Sequence, residues 1–172
     1  IIMSAKEQSV ILKALQQAHG RVMNIPRYLL PSGGVALAYA VANPRDIKDI
    51  AVVRSNGIGF GTDDTLVRVL LTVVRFDAEV RAVGCIRYTE EIADVVRETL
   101  RDVAEYDPSK FPPGISSMDW GIASCCRDGV PLVIIDSGTK DTEPLIRILG
   151  TTPEEVANRI LIISERLTYT DI

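Results

Sequence analysis

Short β-branched apolar runs alternate with capped amphipathic stretches along this 172-residue chain, and that alternation limits what it can fold into more than any other feature. Apolar runs of four to eight residues between turn signals read as strands, whereas apolar residues at i, i+3 and i+4 read as helices. Ser4-Ala5-Lys6-Glu7 is a capping box: the Ser4 hydroxyl takes the Glu7 amide and the Glu7 side chain reaches back. The helix after it puts Val10, Ile11, Ala14, Leu15 and Ala18 on one face, and Gly20 is expected to end it. Residues 35–42 and 50–53 read as strands, and Gly57 to Gly61 as a glycine-rich turn. Asp63 or Asp64 caps a helix over 65–74 that is apolar nearly all round and so expected to be buried. A strand over 83–88, a Thr89-capped helix with Ile92, Val95, Val96, Thr99 and Leu100 on one side, and a strand over 102–106 follow. Beyond a loop from Pro108 to Gly114, Ser116 or Ser117 caps a helix running through Trp120 to Cys126. Strands over 132–136 and 146–149 enclose a polar loop from Ser137 to Glu143. The final helix opens with Thr152 as cap, Pro153 in its first turn and Glu155 at the capping-box position. Alternating elements of this kind define an α/β protein with helices covering a sheet, and leave parallel and mixed sheets both open.

Composition narrows the function. A chain of this length buries roughly 70% of its unfolded surface, so it needs no disulfide or metal staple. The net charge of −4 supplies no basic footprint, so DNA is expected to be met only through a domain outside this chain. Three cysteines, two of them the adjacent Cys125 and Cys126, fit a reducing, cytoplasmic compartment and buried structural thiols. No apolar run approaches the ~18 residues of a membrane span, and no signal peptide is evident. The chain starts Ile1-Ile2-Met3. Either the two isoleucines are additions or the segment belongs to a longer chain, with room for an N-terminal domain. The expected organisation is an N-terminal helix and linker over 1–28, followed by one domain over 29–172.

Four segments carry a resemblance. They are Pro31 to Ala40 (Pro-Ser-Gly-Gly-Val-Ala-Leu-Ala-Tyr-Ala); Phe60-Gly61 followed by Leu66-Val67-Arg68; Ile86-Arg87-Tyr88 with Glu91-Ile92; and Glu143 to Gly150 (Glu-Pro-Leu-Ile-Arg-Ile-Leu-Gly). In order and spacing they resemble the motifs of the archaeal ThiN-type thiamine-phosphate synthase domain, over about residues 29–160, and the last is the most specific. The resemblance implies a three-layer α/β/α fold around a mixed sheet, like that of class II aldolases. It implies a site that condenses hydroxymethylpyrimidine diphosphate with thiazole phosphate to give thiamine phosphate. Such domains occur behind a phosphomethylpyrimidine kinase and behind a helix-turn-helix in thiamine-pathway transcription regulators.

The chain departs from the family pattern at positions that bear on chemistry. Against the family's two asparagines stand Ala36 and Cys85. Thr65 stands against its histidine, and Asp141-Thr142 against its Gly-Lys. Arg87, Glu143 and Arg147 match. Releasing diphosphate requires cations and strong donors aimed at a developing dianion. Without the family's histidine and lysine, the resemblance implies a degenerate copy: a sensor domain that binds a thiamine-pathway phosphate ester without turning it over. The competing expectation is an active synthase in which Lys140 and Asp63 or Asp64, through Mg²⁺, replace the lost groups. No other cofactor is expected.

The ligand-contact candidates are therefore Arg87, Glu143, Gly61, Asp63, Asp64, Lys140 and Arg147. Gly61 and the aspartates form either a phosphate cradle at a helix N-terminus or, the reading favoured here, a turn with two capping carboxylates. Arg87 holds a phosphate or pairs with one of those aspartates. Arg147 is a ligand contact or a structural charge paired with Glu143 or a chain terminus. Tyr39 and Trp120 are expected in the core, although either ring could stack on a pyrimidine. His19, the only histidine, is expected to complement a helix C-terminus, and one histidine cannot build an aldolase-type zinc site. Ile162 and Ile163 widen the apolar face of the last helix, which is then buried either within the fold or, as expected with few later elements left to cover it, under a second copy of the chain.

Overall fold

The computed structural model describes residues 4–112 and 117–170. Seven strands form one mixed sheet: β1 (Ala36–Ala40), β2 (Ile50–Arg54), β3 (Gly57–Phe60), β4 (Ala82–Arg87), β5 (Val103–Tyr106), β6 (Val133–Asp136) and β7 (Leu145–Gly150). Their order across the sheet is β3-β2-β1-β4-β7-β6-β5, and only the β5–β6 pair is parallel. Five α-helices among the described residues cover it: α1 (Ala5–Val22), α2 (Thr65–Val73), α3 (Glu90–Leu100), α4 (Ser117–Cys125) and α5 (Pro153–Thr170).

Side chains alternate across each strand, so each strand feeds two cores. Leu37, Ile86, Ile135, Ile146 and Ile148 pack under α1, α3 and α5. Ala36, Ala38, Val83, Ile134 and Leu149 pack under α2 and α4. This is the three-layer arrangement. The central strands are buried on both faces, which is why they read as unbroken apolar runs rather than as alternating ones.

The caps form where the sequence places them. Glu7 donates its amide to the Ser4 hydroxyl, Leu66 to the Asp64 carboxylate, Ile92 to the Thr89 hydroxyl and Glu155 to the Thr152 hydroxyl. Ser116 lies outside the described residues, and Ser117 is the first residue of α4.

Several expectations are corrected. Gly20 does not end α1, which continues to Val22. Val22 is fully buried, so packing carries the helix past the glycine. Gly57 to Gly61 is not a turn. Its first four residues form β3, paired with β2, and the reversal is made by Ser55 and Asn56. Gly57 takes φ 142°, a conformation that L-residues rarely adopt, on leaving that reversal. Ile163 is not an interface residue. It is fully buried within its own chain, because α1, earlier in sequence, packs along α5. Ile162 is 42% exposed. Trp120 is not in the core: it is 54% exposed, whereas Tyr39 is 9% exposed with the Arg81 guanidinium 5.1 Å above its ring. None of the described helices is long and apolar enough to cross a membrane.

Candidate functional site

Strand register brings Ala36 and Cys85, two of the positions singled out in the sequence, together. Cys85 pairs with Ala36 on one side and Arg147 on the other. Leu37 pairs with Val53, so the next step of the ladder sets Arg54 beside Ala36. One row across the sheet thus reads Arg54, Ala36, Cys85, Arg147, on the face beneath α2 and α4. Ala36 and Cys85 are thus adjacent and flanked by two arginines. Glu143 and Asp64 also lie near enough to act on the Cys85 thiol, as do Arg54 and Arg147.

Arg147 is a buried structural charge, 3% exposed. Its partner is not Glu143 or a chain terminus. Its Nη1 donates to Asp136 Oδ2 and to the Tyr106 hydroxyl, both at 3.0 Å, and Tyr106 in turn donates to Asp136 Oδ2 at 2.9 Å. The Asp136 Oδ1 atom accepts the Gly138 amide at 2.8 Å, which ties the 137–143 loop to the same cluster. Burial opposes the Arg147 charge, but Tyr106 and Asp136 outweigh it and hold the pKa above the usual arginine value. Arg147 Nε has no hydrogen-bond partner among the described residues. Sequence spacing gave no signal for this triad, because its members lie on three strands and 11 to 41 positions apart.

Arg54, which sequence reasoning missed, is the more accessible arginine of the row, with its side chain 31% exposed. Its Nε and Nη2 clasp Asp64 at 2.5 and 2.8 Å. Its Nη1 makes no hydrogen bond among the described residues and lies 3.6 Å from where a Cβ on Gly33 would sit. The next residue back, Ser32, donates its amide to Glu143 at 3.1 Å. The lead-in to β1, the end of β2, the start of α2 and the lead-in to β7 therefore converge on one end of the sheet. A signal was available in the sequence: Arg54 ends a strand four residues after Ile50, in the register of the core positions of that face.

The remaining candidates are placed as follows. Asp63 is exposed and pairs with Arg68 at 2.7 Å, so neither aspartate pairs with Arg87. Gly61 follows β3 with φ 79°. Thr65 is exposed at the first turn of α2. Lys140 and Asp141 are exposed in a tight turn closed by hydrogen bonds between Thr139 and Thr142. Arg87 pairs with Leu145 at the same end of the sheet and lines a cleft of about 290 Å³ with Tyr28, Thr89, Glu91, Ile92 and Leu167. His19 Nε2 is 3.4 Å from the Val35 carbonyl, on the opposite, α1 side of the sheet. Burial pushes the Cys85 thiol up to about 11 and the Cys126 thiol up to about 11, so neither is a thiolate at neutral pH. No group of three or more His, Cys, Asp or Glu side chains among the described residues could hold a metal ion.

Asp64 makes the site end pH-sensitive. Burial opposes its charge, but the Arg54 hydrogen bonds, the Leu66 amide and the Arg54 charge outweigh it and hold the carboxyl below the usual carboxylate range. A depressed folded-state pKa stabilises the fold above the unfolded value, about 3.9, and that contribution is lost as pH falls through the folded value. Asp64→Asn keeps a capping side chain and removes the charge. Its urea midpoint is therefore expected to fall less steeply than the parent's below about pH 4. Parallel acid limbs for the two proteins would show that Asp64 is not the linked group.

Comparison with known proteins places this geometry. The fold is shared with an L-fuculose-1-phosphate aldolase from Thermus thermophilus (TM-score 0.52, 9% identity, 98% of each chain covered), a likeness of architecture alone. The molecule thus has an α/β fold like that of this aldolase. Residues 14–162 match the family described as thiamine-phosphate synthase ThiN, and the chain belongs to that family. The bifunctional thiamine biosynthesis protein ThiDN of Methanocaldococcus jannaschii is 28% identical over 170 residues, 90% of this chain. The chain spans about 40% of the length of that curated relative. Among solved structures, the C-terminal domain of protein MJ0236 superposes with a TM-score of 0.86 at 26% identity, covering 95% of this chain and 98% of that one. The C-terminal domain of a phosphomethylpyrimidine kinase gives 0.84 at 28% identity, covering 91% and 100%.

Proposed function

We propose that this chain is a ThiN domain that binds a thiamine-pathway phosphate ester without turning it over, as the sensor part of a regulator. The observation that carries the reading is the transverse row. Where the family motif has asparagines, Ala36 and Cys85 lie side by side between two arginines, and neither side chain supplies a donor of comparable strength. Thr65 and Thr142 offer no cation where the motif has histidine and lysine. Diphosphate departure draws on cations and strong donors aimed at the developing charge, and a neutral threonine at each position supplies no cation and only a weak donor. Binding needs less. Arg54 Nη1, without a hydrogen bond among the described residues, lies beside Gly33 where it can hold a phosphate oxygen, and Glu143 fixes the Ser32 amide next to it. Asp63 and Asp64 are engaged by arginines, so a Mg²⁺ bridge to the phosphate would have to displace those pairs.

Thermal unfolding with thiamine phosphate tests the reading. A ligand specific to the native state adds RT ln(1 + [L]/Kd), about 2.7 kcal/mol at a hundredfold excess over Kd. A rise in melting temperature is expected for the parent and no rise for Arg54→Ala. Loss of the rise in Arg87→Ala instead would move the anchor to the Tyr28 cleft. Diphosphate release from both substrates together is expected to be undetectable, and to increase when Thr65→His and Thr142→Lys are combined. Turnover by the unmodified chain at ordinary rates, about 1–1000 s⁻¹, would overturn the proposal in favour of an active synthase.

A further inference from the structure

The chain has one tryptophan and three phenylalanines, and two of these four rings lie exposed along one groove. Trp120 on α4 is 54% exposed and Phe76, just beyond α2, is 45% exposed. Both line a cleft of about 530 Å³ between the outer faces of α2 and α4, with Ile47 and Leu71. A second cleft of about 300 Å³ shares Leu71 and Arg75 with it and continues the groove along α2 past Val74. A soluble monomer gains nothing from holding a tryptophan and a phenylalanine in water, and contiguous exposed apolar surface of this kind marks an interaction site. Tryptophan and arginine are also the residue types that most often anchor interfaces.

Charge selects the occupant. Phe76 lies between Arg75 and Asp77, both exposed, and neither takes part in an ion pair among the described residues. A partner surface of one sign would leave one of the two against a like charge. A second copy related by a two-fold axis near Phe76 brings Arg75 of each chain to Asp77 of the other and stacks apolar groove on apolar groove. Isologous contacts require this kind of self-complementarity. We infer that the α2–α4 groove is the face on which a second copy of this chain docks, with Phe76 and Trp120 at its centre. The groove is smaller than the ~20–30 residues a side of a standard interface, so association is concentration-dependent.

The single tryptophan reports on the contact directly. Sedimentation across a dilution series should give twice the 18.8 kDa monomer mass at high concentration and the monomer mass at low. Over the same range Trp120 emission should move to the red and acrylamide quenching should rise. Phe76→Asp alters an exposed side chain, so its melting temperature should match that of the diluted parent while it stays monomeric with a solvent-exposed Trp120 at every concentration. Arg75→Glu should abolish the dimer, and Arg75→Glu with Asp77→Arg should restore it. A monomer throughout the parent series, or a dimer that survives Phe76→Asp, would overturn the inference. So would failure of the double reversal to restore association, which would remove the reason for choosing a second copy.

Discussion

Asp136→Ala is expected to cost about 3–5 kcal/mol, the range for removing one partner of a buried ion pair. Arg147 stays 3% exposed and loses its ion-pair partner among the described residues. The Tyr106 hydroxyl and the Gly138 amide lose their acceptor in the same step. Set against a total stability of about 5–15 kcal/mol, this removes about a fifth of it or more. The cost belongs to the broken network rather than to polarity as such. Exchanging a whole buried ion pair for apolar residues of similar volume is often neutral or stabilising. The combination Asp136→Leu, Arg147→Met and Tyr106→Phe should therefore recover most of the loss. Urea midpoints of the parent, the single variant and the triple variant decide it. A loss below about 1 kcal/mol in Asp136→Ala would show that Arg147 finds other partners or water, the ordinary worth of one hydrogen bond.

Gly121→Ala should destabilise the protein by about 1–3 kcal/mol, the usual cost of overpacking. In an exposed helix the same change stabilises by up to about 1 kcal/mol. The reversal of sign comes from contact. A Cβ on Gly121 would fall 2.1 Å from Tyr106 Cδ2 and 2.4 Å from Cε2, inside any allowed separation. Tyr106 cannot swing away, because its hydroxyl is held by Asp136 and Arg147 and its ring is 5% exposed under α4. The helix has to lift, which loosens Ile122 and Cys126 from the sheet as well. Gly20→Ala is the control: Gly20 is exposed within α1 and its added Cβ meets nothing within 4 Å, so stabilisation is expected there. Pairing Gly121→Ala with Tyr106→Leu should cost less than the sum of the two changes, by a coupling of about 0.5–3 kcal/mol. Strict additivity in denaturant melts would place the strain elsewhere.

How much of this was legible from sequence depends on the range of each interaction. The caps at Ser4, Asp64, Thr89 and Thr152 are each made within two or three residues, and all four form. The strands at 36–40, 50–54, 82–87 and 133–136 were readable because burial on both faces demands continuous apolar character. The reading failed where local signals conflict with packing. Gly20 looks like a stop, but Val22 beyond it is pulled into the core. Gly57 and Gly59 look like a turn, yet β2 offers them a ladder and Ser55-Asn56 makes the reversal.

The sequence by itself determined the α/β class, the helix starts and, through four motif segments, the family. These rest on side chains acting on their own backbone or on the periodicity of one element. Only the tertiary structure decided which residues meet. Strand order and direction set Arg54, Ala36, Cys85 and Arg147 in one row, although 111 positions separate Ala36 from Arg147 in the chain of 172. The same register assigned Arg147 to Asp136 and Tyr106 rather than to its sequence neighbour Glu143. It also sent Ile163 inward under α1 and left Trp120 in solvent. A ladder step moves a side chain by one face or one row, and no short-range signal in the chain encodes that step.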